Sequence, residues 1–447
     1  MRVLLLIVVF MNFFKSSAQG FAGVWKGDLV IEKETLTFII HIQRKDSEWK
    51  AYMDIPPQDA FKLPTRISIK DNKFHLETEA EIGIKGEMKS ANELRAVFLQ
   101  SGFEKKMKFN RVSDTSQLFN PHSLKRPQEP SAPFPYDSRD FIVEDTRVKL
   151  SGTITSPKSE GKFPALILIS GSGTHDRDGE MFGHKPFKLL ADYLTRHGIV
   201  VMRFDDLGAG GSIGDEDYET PLTNSMDINI LLDRLKLEPK VNLEKMGLLG
   251  HSVGSLISLI VASQNTDVKF LISLAGMGLS GKEVMKKQNI EKLVDAPPEK
   301  KRLYYSLMEV MGEVEEDDVT RKKMQTIIKN YKGKDPLNAI DTASFSQMFT
   351  PWALCITRLN PANYIEKVKV PVLVLQGEKD TQVLAKENVA IFKKKLSENL
   401  KTYTKIYPKL NHLFQTAKTG SRVEYRQIEE TFNEQVMKDI VDWIEQL

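Results

Sequence analysis

The 447-residue sequence predicts a small all-β domain, a barrel or a sandwich, followed by an α/β domain. The second domain is expected to hold a mostly parallel sheet flanked by helices, with a helical cap. Three observations carry this. Residues 21–111 contain short β-branched and aromatic runs separated by turn signals; residues 120–136 contain five prolines; thereafter, short apolar runs alternate with helix-length segments. Continuous apolar runs bounded by helical patterning mark a parallel sheet covered on both faces.

The first element is an address. Val3–Met11 is an apolar run after Arg2, and Ser16-Ser17-Ala18 supplies the small residues that a signal peptidase reads. Residues 1–18 are therefore expected to be a secretory signal cleaved before Gln19; the run falls short of the ~20 residues that span a bilayer. The mature chain is expected to be secreted or periplasmic, with no stable membrane insertion. Loss of Arg2 and Lys15 takes the formal charge from +3 to +1.

Residues 19–120 are expected to form the β-rich domain. Its strands are read at Leu36–Ile42, Trp49–Met53, Arg66–Ile69, Lys73–Thr78 and Glu93–Leu99, with turns at Asp71-Asn72 and Ser101-Gly102. Residues 121–136, with Pro121, Pro127, Pro130, Pro133 and Pro135, read as a linker, because proline removes backbone donors and stiffens the chain. Residues 137–447 form the α/β domain. Its strands are expected at Ala165–Ile169, Ile199–Phe204, Met246–Leu249, Phe270–Leu274 and Val370–Leu375. The helical stretch at about 279–358 is the expected cap.

Composition excludes several classes. Lys+Arg 63 against Asp+Glu 60 leaves no net basic footprint for nucleic acid, and 41% hydrophobic content argues against disorder. The single cysteine, Cys355, precludes an intrachain disulfide, a Cys-rich zinc site and lipid attachment at the signal.

The chemistry concentrates in one motif. Gly250-His251-Ser252-Val253-Gly254 follows an apolar strand and runs into a plausible helix, the strand–turn–helix setting of a nucleophile elbow. A second match, Gly210-Gly211-Ser212-Ile213-Gly214, stands apart from its strand and leads into Asp215-Glu216-Asp217, so it reads as a glycine-rich loop. A serine hydroxyl needs a positioned base, and this fold orders its triad serine, acid, histidine. His412 is the one histidine downstream of Ser252. After Val370–Leu375 come Glu378 and Asp380; Asp380 is preferred because the intervening loop lets it turn back towards the histidine, while Glu378 reads as a solvated charge. The amide of Val253 supplies one oxyanion donor. The glycine-rich loop Ser170-Gly171-Ser172-Gly173-Thr174 supplies the other, assigned to Ser172 with Gly173 as the neighbouring alternative. This loop lacks the Lys-Ser/Thr ending of a phosphate loop, and no cofactor is called for. His175-Asp176-Arg177-Asp178 reads as an Asp–Arg brace for the oxyanion loop; three ligands in four loop residues fit a tetrahedral metal site poorly, so no metal is expected.

Together the elbow, Ser170–Gly179, Gly183-His184-Lys185-Pro186-Phe187, Arg203-Phe204-Asp205-Asp206-Leu207-Gly208 and Gly377-Glu378-Lys379-Asp380 resemble the EstD-type secreted esterases of the α/β-hydrolase superfamily, over roughly residues 141–447. The resemblance implies the α/β-hydrolase fold and hydrolysis of a small-molecule carboxylic ester, with Ser252, Asp380 and His412 as triad. Asn360-Pro361 departs from the Asp-Pro common in such relatives. Two other readings stay open. The same triad serves a serine peptidase. Alternatively the β-rich domain binds a lipid or glycan, as Gly23-Val24-Trp25 resembles a lipocalin opening. Six methionines between Met277 and Met348 fit either an adaptable pocket or gap-filling between cap helices, and Trp352 offers an aromatic pocket wall. The natural ester and the oligomeric state are not legible.

Overall fold

A computed structural model describes residues 20–447 except 32–33, 46–47, 57–59, 79–81, 101–102, 114–124, 216–218, 294–295, 334–336, 338–344, 346 and 397–400. The expected signal at 1–18 lies outside the described residues. The chain divides into two compact units, one of residues before 122 and the other of 122–336 and 345–447.

The first unit is a closed antiparallel barrel of eight strands: β1 (Gly23–Ile31), β2 (Glu34–Lys45), β3 (Glu48–Ile55), β4 (Ala60–Lys70), β5 (Lys73–Thr78), β6 (Gly83–Ser90), β7 (Glu93–Gln100) and β8 (Phe103–Arg111). Closure comes from β1 pairing with β8, Trp25 opposite Arg111. The period-two alternation is plain in β5, whose burial runs exposed, buried, exposed. Phe21, Trp25, Phe38, Phe74, Phe98 and Phe109 meet in the interior with the aliphatic side chains of the same strands. Trp25 closes the barrel end, donating from Nε1 to the Phe21 carbonyl at 2.9 Å with the Arg111 guanidinium 4.2 Å over its ring.

The second unit is built on an eight-stranded sheet. Its strands are β9 (Tyr136–Glu144), β10 (Lys149–Pro157), β11 (Phe163–Ile169), β12 (Val200–Phe204), β13 (Val241–His251), β14 (Phe270–Leu274), β15 (Val372–Gly377) and β16 (Tyr403–Tyr407). In space the order is β16-β15-β14-β13-β11-β12-β10-β9. β9 and β10 are antiparallel, as are β10 and β12, and the remainder run parallel. The elements around it are α1 (Pro186–Arg196), α2 (Pro221–Lys236), α3 (Val253–Ala262), α4 (Gly281–Leu293), α5 (Pro298–Met311), α6 (Asp317–Lys329), α7 (Pro351–Arg358), α8 (Ala362–Ile365), α9 (Ala385–Lys395) and α10 (Glu434–Glu445). Alternation along β11 splits it between two cores: Leu166 and Leu168 pack with α1 and α10, and Ala165, Ile167 and Ile169 pack with α2 and α3. This is the α/β-hydrolase fold. Helix starts follow their caps: Thr220 accepts from Thr223 N ahead of Pro221, and Thr350 accepts from Ala353 N ahead of Pro351. Among the described residues no helix is long and apolar enough to cross a membrane.

Three expectations are refined. The proline-rich segment belongs to the hydrolase unit from residue 122 on. Its Arg126 guanidinium donates to the carbonyls of Phe182, Gly183, Arg426 and Ile428 at 2.9–3.1 Å. Gln128 adds bonds to Phe432 O and Thr431 N at 2.8 and 2.7 Å, so residues 125–136 are a strap rather than a free linker. In the cap, α4 to α7, the methionines are interior: Met308, Met311 and Met324 are fully buried, which favours gap-filling over a pocket lining. Cys355 lies half-buried in α7.

Candidate active site

Ser252 sits between the last residue of β13 and the first of α3, at φ 56° and ψ −120°. A left-handed, non-glycine backbone of this kind costs roughly 1–3 kcal/mol and persists only where its surroundings dictate it. Here they do. Ser252 N donates to Leu274 O at 2.8 Å. A Cβ on Gly250 would overlap the carbonyl of Gly254, and one on Gly254 would overlap the carbonyls of Ile169 and Ser170. Both motif glycines are thus required by contact, and the second brings α3 against the end of β11. Val253, first residue of α3, has no carbonyl a turn earlier for its N–H.

Asp380 and His412, the expected acid and base, lie within bonding distance of each other. His412 Nδ1 lies 2.6 Å from Asp380 Oδ2, with both side chains almost fully buried. Asp380 stands three residues past β15 and accepts at Oδ1 from the amides of Gln382 and Val383, each at 2.8 Å. Its Oδ2 also accepts from Gln376 Nε2 at 2.9 Å. A carboxylate receiving this many donors is fixed in place. His412 is held by its neighbours, since Asn411 Oδ1 accepts from the amides of Leu413 and Gln415 at 3.0 and 2.9 Å. Gly377 lets β15 approach this loop, for a Cβ there would overlap Leu410 and Asn411 carbonyls. Glu378 is exposed.

The loop after β11 is the third component. Gly171 lies against Ser252: a Cβ there would stand 3.1 Å from Ser252 Cβ. Ser172 O and His175 Nε2 are 3.0 Å apart. Arg177 is the centre of the brace, bonding Asp205 through its amide, Nε and Nη2 at 2.8, 3.0 and 2.6 Å, and reaching Asp140, Ser151 and Thr153. Asp178 pairs with Arg203. Asp206, the next residue along, accepts from the Ser170 hydroxyl at 2.8 Å and from His175 N at 2.8 Å. Burial pushes its carboxyl up to about 7, despite those two bonds, and Asp205 and Asp176 add to the rise. The second Gly-x-Ser-x-Gly match serves this same region as a turn, where Ser212 Oγ accepts from Ser151 N at 2.9 Å.

Several contributors escaped the sequence reading because it could not see contact. His251, the variable position of the elbow, is buried; its Nε2 bonds the carbonyl of His412 at 2.9 Å, and the two rings lie 4.8 Å apart. Burial, then the neighbouring His412, pushes it down to about 3, so it is a neutral donor. His184 bridges Thr431 and Gln415 at 2.9 and 3.0 Å, tying the loop before α1 to the segment after His412. Burial lowers it to about 4. The only sequence signal for any of these was membership of the motifs quoted above. Asn360 Oδ1 accepts from Ala362 N at 3.1 Å, an acceptor role open to asparagine as well as aspartate. Trp352 is partly buried against the core rather than standing clear of it.

Comparison with known proteins finds similarity to hydrolases. A family profile described as "Serine aminopeptidase, S33" matches residues 184–416. Esterase EstD of Thermotoga maritima is 26% identical over 317 residues, covering 69% of this chain and 68% of that protein. Among solved structures, the Pyrococcus furiosus esterase Pf2001 is 16% identical with a TM-score of 0.46, covering 72% of this chain and 97% of its own. Est1E of Butyrivibrio proteoclasticus, solved with ferulic acid bound, is 17% identical with a TM-score of 0.41, covering 68% and 96%.

Proposed function

The chain belongs to the serine aminopeptidase S33 family of hydrolases, and on that premise we propose that it is a serine esterase cleaving small carboxylic esters through an acyl-enzyme. The observation that carries this reading is the buried Asp380–His412 bond, in a fold that places Ser252 at a positive φ between β13 and α3.

In the proposed cycle, Ser252 Oγ attacks the ester carbonyl carbon as its proton passes to His412 Nε2. Asp380 holds the opposite ring nitrogen, fixing the tautomer and stabilising the imidazolium. The carbonyl oxygen takes up negative charge and accepts from the amides of Val253 and Ser172. Collapse breaks the ester C–O bond, the imidazolium returns its proton to the alkoxide, and the alcohol leaves. Water then attacks the acyl-enzyme by the same route, releasing the acid and restoring Ser252. No step calls for a metal or cofactor. The signal-like segment at 1–18 supports secretion or export to the periplasm as the setting.

The relative named as an esterase favours esters, whereas the family description names aminopeptidases. Nitrophenyl esters of graded acyl length, set beside aminoacyl nitroanilides, separate the two. Turnover of esters by the wild type, absent in Ser252→Ala, is expected. Equal ester turnover by both proteins would refute the mechanism, and faster nitroanilide cleavage would move the assignment to a peptidase.

A further inference from the structure

We propose that Asp206 is a positioning residue for ester hydrolysis, its carboxyl closing the loop from Ser170 to His175 so that the Ser172 amide faces the oxyanion. The inference rests on the esterase reading above and adds a residue to it. One carboxyl oxygen of Asp206 accepts from the Ser170 hydroxyl and from the His175 amide, each at 2.8 Å. The return bond runs from Asp206 N to His175 O at 2.9 Å. Both ends of a six-residue loop are therefore anchored to one side chain, with Ser172 and Gly173 between them. The crest is pinned separately by the contact between Ser172 O and His175 Nε2. Its neighbour Asp205 does different work, since it receives Arg177 and the amide of Gly211.

The surroundings explain why this anchor is sensitive. Asp206 is 7% exposed and lines a small cavity with Leu150, Ile169, Leu207 and Ile257. The titratable groups near it are His175, Asp176 and Asp205 on the bracing loops, with Glu219 and Asp227 lining the same cavity from around α2. Asp227 is itself engaged by Arg147. Ionised, Asp206 accepts from both loop ends; protonated, it carries a donor, and the Ser170 hydroxyl must turn to receive it. Burial brings this change close to neutrality, so the loop's hold is expected to change with pH there.

The test is a double-mutant cycle on the full chain, using D206A, S170A and the pair, with p-nitrophenyl acetate as substrate; D206N, whose amide oxygen can still accept both bonds, serves for the pH profile alone. Each single variant is expected to lower kcat about tenfold or more with KM changed less than about threefold, the split expected when a group acts in the transition state. The double variant is expected to fall no further than the worse single one. The wild-type pH profile of kcat is expected to contain an ionisation near neutrality that D206N lacks. Wild-type kcat in both D206A and S170A, or strictly additive losses, overturns the proposal; should D206A fail to fold, S170A alone decides it. Ser252→Ala assayed in parallel separates the two levels, since activity surviving there overturns the esterase mechanism itself.

Discussion

The barrel and the hydrolase unit bury very different interiors. In the barrel, Thr78 is the only buried polar residue among those described, and the rest of the inside is aromatic and aliphatic. The hydrolase unit buries Asp205, Asp206, Asp227, Arg203, Asp380, Gln376 and three histidines, nearly all bonded. Burying a polar group is unfavourable unless its bonds are replaced, so a fold that retains so many is organised around them. The barrel is an apolar plug whose strands could accept many sequences; the other unit is a set of fixed partners. Elsewhere on the barrel Lys73, Lys85, Lys89, Arg95, Lys106 and Lys108 line an open groove with Glu87.

The contrast can be broken most sharply at the site. Ser252→Ala should lower kcat for a nitrophenyl ester by at least ~10⁴ while leaving the thermal midpoint within a few degrees, because in the proposed cycle a lone hydroxyl carries the covalent step. Ester assay and calorimetry on one sample check both halves. In the barrel the signature should invert: Trp25→Ala removes a fully buried indole and should cost ~3–5 kcal/mol of barrel stability with ester turnover retained. Denaturant unfolding followed alongside activity would show it, and turnover lost in step with the barrel would contradict the separation.

Acid should divide the units next. His184 and His251 are pushed below the ordinary histidine value, to about 4 and about 3. The unfolded chain binds their protons first as pH falls from about 6.5, so the stability they contribute is complete above 6.5 and drains down to those lower values. The hydrolase unit is expected to lose stability across that window while the barrel, whose described histidines are not fully buried, holds longer; near-ultraviolet circular dichroism against pH resolves the order. Arg126→Ala frees four carbonyls and should destabilise the hydrolase unit by roughly 2–3 kcal/mol, visible as a lower urea midpoint. The smallest effect is expected at Glu378→Gln, an exposed carboxylate, with kcat/KM within about twofold of wild type.

What could be read beforehand follows the same division. Four of the five expected parallel strands lie within two residues of the observed ones, since an apolar run between helices has few alternatives. The exception is β13, which begins at Val241 through the polar Asn242–Lys245. β9 and β10 carry no apolar run of strand length, because Asp137–Asp140 are polar in the first and serines and threonines interrupt the second. In the barrel, β6 and β8 were hidden by lysines on their outer faces. At the site, Ser252 was legible from its glycines and His412 from chain order, both one-dimensional signals. The bonds of His251, Asp206, Gln376 and Arg126 join residues that only folding brings together, or whose partners no spacing announces. Arg126 in particular looked like part of a spacer because proline dominates its neighbourhood.

The backbone at Ser252 has a consequence for when the protein acts. A serine held at φ 56° keeps that shape only while β13 and α3 flank it and Leu274 O holds its amide. Threonine, branched at Cβ, would sit there under added strain, so the identity of the nucleophile is tied to the shape of the turn as well as to its chemistry. An unfolded chain has the same serine but no nucleophile. On the proposed export route, the protein would cross the membrane inert and become hydrolytic only on folding at its destination, sparing the esters of the cell that made it.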